Sequence, residues 1–235
     1  MDYCSKQLPH LFLAFIKNYI NPKPKNINMR TKVFSLIAFA TFLILFNSCS
    51  KSSSSNNNTS TNTVKNIVTQ SMIDSLTAAG VTIYQGNTPP TLAGIFLMTP
   101  DSCIYDNSPS NSAGQLYDDY KFQFSSQNNT NFTITVAQKD VTTGVLNPAP
   151  VATYISGSGN NFSIYMLSTS TPSGVSVQKF NVLSGTLTSN GIQNFQNSLY
   201  LRSKGNDPTN IVVPAGTIRV FVTGPPGLAT VSTTF

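Results

Sequence analysis

Four segments of the chain alternate apolar and polar residues with a period of two: Tyr120-Lys121-Phe122-Gln123-Phe124, Phe132-Thr133-Ile134-Thr135-Val136, Phe162-Ser163-Ile164-Tyr165-Met166 and Val175-Ser176-Val177-Gln178. Successive side chains of an extended backbone point to opposite faces, so each segment predicts a strand with one buried face. Further strand candidates lie at 81–84, 95–98, 151–156, 179–183, 198–202 and 217–223. The residues between them, among them Gln127-Asn128-Asn129, Gly157-Ser158-Gly159-Asn160-Asn161 and Asn190-Gly191, tolerate positive φ and reverse the chain. Only one helical pattern precedes these strands and none is long enough to form crossovers between them, so the pairing is expected to be antiparallel.

The fold class this predicts is all-β: an antiparallel β-barrel or β-sandwich of about ten strands with one short N-terminal α-helix. Phe122, Phe124, Phe132, Ile134, Val136, Phe162, Ile164, Val175, Val177, Val220 and Val222 are expected to point inward. The helix is read over 65–79, where Val68, Met72, Leu76 and Ala79 fall on one face and Gln70, Asp74 and Thr77 on the other. Gly80 suits its C-terminus, and the apolar face should pack against one end of the strands.

Upstream lies a different pattern. Residues 33–46 form an apolar run of fourteen, preceded by Met29, Arg30 and Lys32 and followed by Asn47-Ser48-Cys49. A bilayer span needs about 20 apolar residues, so the run has the length of a signal-peptide core. The whole resembles a bacterial lipoprotein signal peptide, with Phe46-Asn47-Ser48-Cys49 in the place of the lipobox. Phe46 holds the position where such boxes carry Leu, and Leu45 is displaced by one. The resemblance implies that residues 29–48 are removed and that Cys49 becomes the lipidated first residue, palmitate among its acyl chains.

It also implies an outer-membrane protein anchored through those chains. In the related signals an acidic patch after the cysteine directs export to the outer face. Here Lys51 is followed by Ser and Asn, which favours the periplasmic side over the cell surface. Residues 1–28 are read as an upstream extension before the true start at Met29. Residues 49–63, which have no apolar side chain after Cys49, are read as a flexible tether, and 64–235 as a single all-β domain.

Cleavage changes the charge. The full chain carries +6, but the 187 residues from Cys49 onward hold eight Lys and Arg against seven Asp, about +1. Nucleic-acid binding, which needs clustered basic residues, is not expected. The mature chain has no His, Glu or Trp. Catalysis by Ser-His-Asp or Cys-His pairs and zinc sites containing His therefore lack their parts.

Candidate chemistry is sparse. Asp118-Asp119, with Asp101 and Asp106 near in sequence, offers oxygen ligands but no calcium-loop spacing, and adjacent carboxylates are poorly placed to flank a glycosidic bond. Cys103 lies between Asp101 and Asp106, surroundings that disfavour a reactive thiolate and fit a buried, inert cysteine on a strand. The rigid loops Gly86-Asn87-Thr88-Pro89-Pro90 and Gly224-Pro225-Pro226-Gly227 read as strand boundaries first and binding edges second. A terminal Phe235 resembles the last residue of outer-membrane barrels, yet the strand candidates are too short to span.

A helix followed by antiparallel strands is loosely similar to lipocalin-like and other calycin barrels, although the Gly-x-Trp element of that group is missing. The expectation is a noncatalytic, membrane-anchored binding protein of the bacterial envelope, without metal or cofactor, holding a small lipid or glycan at a site the sequence does not locate. The alternative is an accessory lipoprotein that docks onto another envelope protein. The first predicts an open cavity and the second a filled interior with an exposed apolar patch.

Overall fold

A computed structural model of the protein describes residues 68–235. Cys49, the signal segment, the tether and the upstream extension lie outside the described residues. What is described is one helix and twelve strands joined in a single curled, half-barrel sheet.

The helix α1 spans Gln70–Ala78. It starts later than the apolar spacing suggests because the Thr69 side chain accepts a hydrogen bond from the Met72 backbone N–H and caps the first turn, leaving Val68 outside. It ends where Gly80, at φ +94°, turns the chain and lets Val81 N–H reach Leu76 O at 3.0 Å.

The strands run β1 (Asn87–Thr88), β2 (Gly94–Met98), β3 (Asp101–Asp106), β4 (Leu116–Tyr117), β5 (Tyr120–Asn128), β6 (Thr133–Asp140), β7 (Ala152–Ser158), β8 (Asn161–Ser170), β9 (Val177–Thr188), β10 (Gly191–Lys204), β11 (Ile218–Thr223) and β12 (Leu228–Ser232). All ladders are antiparallel except the two-residue β1–β7 pairing. The three turn signals read from the sequence sit at the β5–β6, β7–β8 and β9–β10 hairpins.

One sheet path runs β1-β7-β8-β9-β10 and forks at β10. The first part of β10, at 191–193, pairs with β12, which leads on to β2, β5 and β6. Its middle, at 196–200, pairs with β11, which leads to β3 and β4. A bulge between Gln193 and Gln196, with Asn194 at φ +52°, marks the fork. The extra residue shifts the side-chain parity, so that Ile192 and Phe195 both point inward and are fully buried. The chain crosses between the branches three times, at Thr99-Pro100, at Asp118-Asp119 and at residues 224–227. The first and last crossings are tied by a 2.8 Å bond from Gly224 N–H to Pro100 O. A Cβ on Gly224 would lie 2.6 Å from Pro100 Cγ, so only glycine permits this approach.

Two apolar clusters hold the sheet from opposite faces. Inside the curl, Phe96, Phe122, Phe124, Ile134, Val136, Phe162, Ile164, Leu183 and Phe195 pack together, with edge-on ring pairs Phe122–Phe195 at 5.1 Å and Phe124–Phe162 at 6.4 Å. Outside it, Met72, Leu76 and Ala79 press on Tyr165, Phe180, Val182, Ile218 and Val220. Strands β8 and β9 are therefore buried on both faces.

The inward set is found buried with one correction. Val222 is only half-buried, because it shares the outer face with Val220 but lies beyond the cluster under the helix. Val175 and Val177 close a separate small cluster with Leu201. Val175 itself precedes the strand, which begins at Val177.

The expected strand at 81–84 is not one. Its backbone bonds go to side chains: Thr82 N–H to Gln196 Oε1, Tyr84 N–H to Ser163 Oγ, and Ser156 Oγ–H to Tyr84 O. Strands β1, β4 and β12 are additions to the sequence reading, while β3 was expected only as the strand carrying Cys103. Two are only two residues long, β3 begins and ends in Asp, and β12 is intermittently apolar, so none carried a clear alternation.

Candidate functional site

The inward row of each central strand changes chemistry toward one end of the curl. On β9 it runs Leu183, Asn181, Lys179; on β8, Ile164, Met166, Ser168; on β10, Phe195, Asn197, Leu199; on β6, Ile134, Val136, Gln138; on β5, Phe122, Tyr120. The first residue of each row is packed core and the later ones line a cavity of about 240 Å³. It opens where the two sheet branches splay, with Asp101, Tyr117 and Phe221 on one side and Tyr120, Val136 and Gln138 on the other. The β6–β7 connection closes a third side with Asn147, Pro148 and Pro150. That loop is fixed by bonds from Asn147 N–H to Gln138 O (2.9 Å), Asn147 Nδ2 to Gln138 Oε1 (3.0 Å) and Val151 N–H to Leu167 O (2.7 Å).

Asp101 is the unusual member. It begins β3 immediately after the Pro100 crossing, is 2% exposed, and its Oδ1 has no hydrogen-bond partner. Its own N–H goes to Asp119 Oδ1 at 3.3 Å, which brings a second carboxylate near. Burial, with the Asp119 charge adding to it, raises the Asp101 carboxyl from 3.8 to about 7.

Two more buried oxygens are unpaired among the described residues, and both are close in the sheet. Thr223 Oγ1 lies on β11 directly across the ladder from Asp101. Asn197 Oδ1 lies on β10 opposite Phe221, two residues along from Thr223. Facing and alternate positions share a sheet face, so Asp101, Thr223, Phe221 and Asn197 all project inward.

A buried polar atom without a partner costs about 1–3 kcal/mol. Two of the three, on Asp101 and Asn197, stand on the cavity wall, where an occupant would supply donors, and Thr223 lies outside the lining.

On the far side stands Lys179, half-buried, with no ion pair or hydrogen bond among the described residues. Burial lowers its pKa. Asn181 donates through Nδ2 to Ser198 O at 2.9 Å and keeps its Oδ1 for the cavity. Tyr120 has its phenol raised by burial and then by the charges of Asp140, Asp101 and Asp118. Phe221 presents a ring held edge-on to Tyr117 at 5.1 Å. The cavity thus combines a carboxyl, an ammonium, amides and phenols with one aromatic wall.

The acidic residues singled out from the sequence do not converge. Asp106 pairs with Arg219 (Nε to Oδ2, 3.1 Å) and accepts the Ser108 and Ser112 N–H groups. Burial acts to raise its pKa, but these bonds and the Arg219 charge outweigh it and leave it at about 2. Asp118 accepts from Thr142 Oγ1 at 3.0 Å, and Asp119 accepts from Thr99 Oγ1 at 2.6 Å. Of the four, only Asp101 lines the cavity, and no cluster of three metal-binding side chains occurs among the described residues.

Cys103 is fully buried on β3, its Sγ donating to Tyr105 O at 3.3 Å, and burial raises its pKa. The Pro-rich loops act structurally. Gln127 Nε2 donates to Pro90 O and Gln193 Nε2 to Pro226 O, and the 224–227 turn is one of the crossings at the fork. Phe235 O accepts from Lys139 Nζ at 3.1 Å. No described helix is long and apolar enough to cross a membrane.

Lys179, Asn181, Asn197 and Gln138 were not singled out from the sequence. The available signal was a polar residue at an inward strand position, which becomes visible only when the parity of each strand is known. Compared with known proteins, the chain matches no family model, no curated protein and no solved structure.

Proposed function

We propose that this is a noncatalytic lipoprotein of the bacterial envelope, anchored in the outer membrane through acyl chains on Cys49 on the periplasmic side, that holds a small glycan in the cavity at the fork of the sheet. The observation that carries the binding half is the pair of buried, unpaired acceptors, Asp101 Oδ1 and Asn197 Oδ1, on the cavity wall. A lipid chain offers them no donor, whereas sugar hydroxyls do. At ~30 Å³ of liquid per water, 240 Å³ holds about eight waters, the scale of a sugar ring rather than of a long acyl chain. Phe221, Tyr117 and Tyr120 supply the aromatic surface on which a ring's C–H face rests.

With Asp119 turned onto Thr99 and the Asp101 backbone, a second carboxylate does not face the cavity, which supports binding over hydrolysis. The anchoring half rests on the signal pattern at residues 29–48.

Titration of the purified protein with soluble mono- and disaccharides and with palmitate tests the ligand. Saccharide binding that weakens about tenfold or more in Asn197→Leu is expected; palmitate binding unaffected by that change would overturn it. Fatty-acid labelling of cells tests the anchor: label should depend on Cys49, and equal label in Cys49→Ala would refute it. Docking onto another envelope protein is the second reading, favoured by Val145, Leu146 and Val151, each about 60% exposed on the β6–β7 loop.

A further inference from the structure

We infer that the cavity takes an acidic saccharide, its hydroxyl groups meeting Asp101 and Asn197 and its anionic group meeting Lys179 across the cavity. This rests on the glycan-binding reading and goes further by assigning the ligand's charge and its orientation.

The argument begins with the asymmetry of the lining. Two unpaired acceptor oxygens, Asp101 Oδ1 and Asn197 Oδ1, stand on the wall formed by β3 and β10. Lys179 lies on β9, which is separated from β3 by β10 and β11, so the ammonium and the Asp101 carboxyl occupy opposite sides and do not satisfy each other. Among the described residues Lys204 and Arg219 have carboxylates at 2.9 and 3.1 Å, and the partly buried Lys121 and Lys139 donate to Thr234 O and Phe235 O. Lys179, the cation in the cavity, has neither kind of partner. A half-buried ammonium without a counter-charge is costly unless an anion arrives with the ligand.

The groups between the two ends decide the ligand class. Asn181 and the Asn197 amide lie between Lys179 and the Asp101 wall, and Ser168 stands beside Lys179 on β8. An α-amino acid would bring an anion and donors on a single carbon and leave these intervening groups unmatched. A ring bearing several hydroxyls and an acidic substituent matches them along its length, with Phe221 and Met166 taking its apolar face.

The test is isothermal titration of the full chain in detergent with glucuronate, galacturonate and sialic acid, with glucose and galactose as neutral counterparts and L-glutamine as the amino-acid arm. At least one acid should bind about tenfold or more tighter than its neutral counterpart, the scale of one charge-assisted hydrogen bond. Lys179→Met should remove that advantage, while Lys179→Arg retains it. Thermal melts of both variants report folding, and the Arg variant keeps the test decisive if the Met variant is unstable. Equal binding of acidic and neutral sugars, indifferent to Lys179→Met, would overturn the inference while leaving the glycan pocket intact. Glutamine binding in place of the sugars would overturn the saccharide assignment, and binding of none of the probes would sink both readings.

Discussion

Replacing Asp101 with Asn probes the unpaired carboxyl through stability rather than through an unknown ligand. The carboxyl is 2% exposed, has no hydrogen-bond donor on Oδ1, and titrates at about 7 in the folded protein against 3.8 as a free side chain. A difference of about three pKa units at ~1.36 kcal/mol each gives about 4 kcal/mol. Water entering the open side of the cavity solvates the charge in part, so the measured effect should be about 2–4 kcal/mol. Between about pH 4 and 7 the folded state holds a proton that the unfolded chain has released, so stability falls as pH rises through this window and levels off above it. Asn carries no such proton. The variant should match the wild type near pH 4 and exceed it by about 2–4 kcal/mol above pH 7.5.

Urea denaturation of both proteins at intervals from pH 4 to 8.5 measures this. Asp119, Tyr117, Tyr120 and Lys179, the other titratable groups at the cavity, are common to both, so their contributions largely cancel in the difference. A stability difference independent of pH, or a variant that loses ground as pH rises, would refute the account of Asp101 as a buried carboxyl without a donor.

Two further outcomes follow from the packing and from Asp106. Phe162→Ala should cost about 3–5 kcal/mol in a denaturant titration, because the ring is fully buried at the centre of the inner cluster, where the surrounding rings cannot collapse into the space. Asp106→Ala should cost about 2–4 kcal/mol by thermal or urea unfolding, since it strands Arg219 and frees the Ser108 and Ser112 N–H groups. Its depressed pKa also means that its stabilising contribution is present above about pH 4 and is lost as pH falls toward 2, so the gap between variant and wild type should close under acid.

Much of the fold was legible because a strand with one wet face writes its parity into the sequence. The segments around Phe122 and Ile134 alternate, and those residues are buried where the alternation places them. The one helix was legible for the same reason at a period of 3.6, and the hairpins from residues that accept positive φ. Strand β3 was legible only through Cys103: Asp101 and Asp106 at its ends carry no alternation, yet both are buried, one against the cavity and one against Arg219.

The candidate site was hidden by a different cause. On β9, Phe180 and Val182 are covered by α1 while Leu183 faces the inner core, so both faces carry apolar residues and no alternation says which way Asn181 and Lys179 point. On β10, the bulge before Gln196 resets the parity that would otherwise place Asn197. The sequence by itself determined that these strands exist, that they pair antiparallel, and that the chain's one histidine, His10, lies outside the strand-forming region. Only the tertiary structure decided that the sheet forks at β10. That fork leaves a gap between two branches too wide for their side chains to fill, and Asp101, Asn197 and Lys179 share one cavity because they happen to border it.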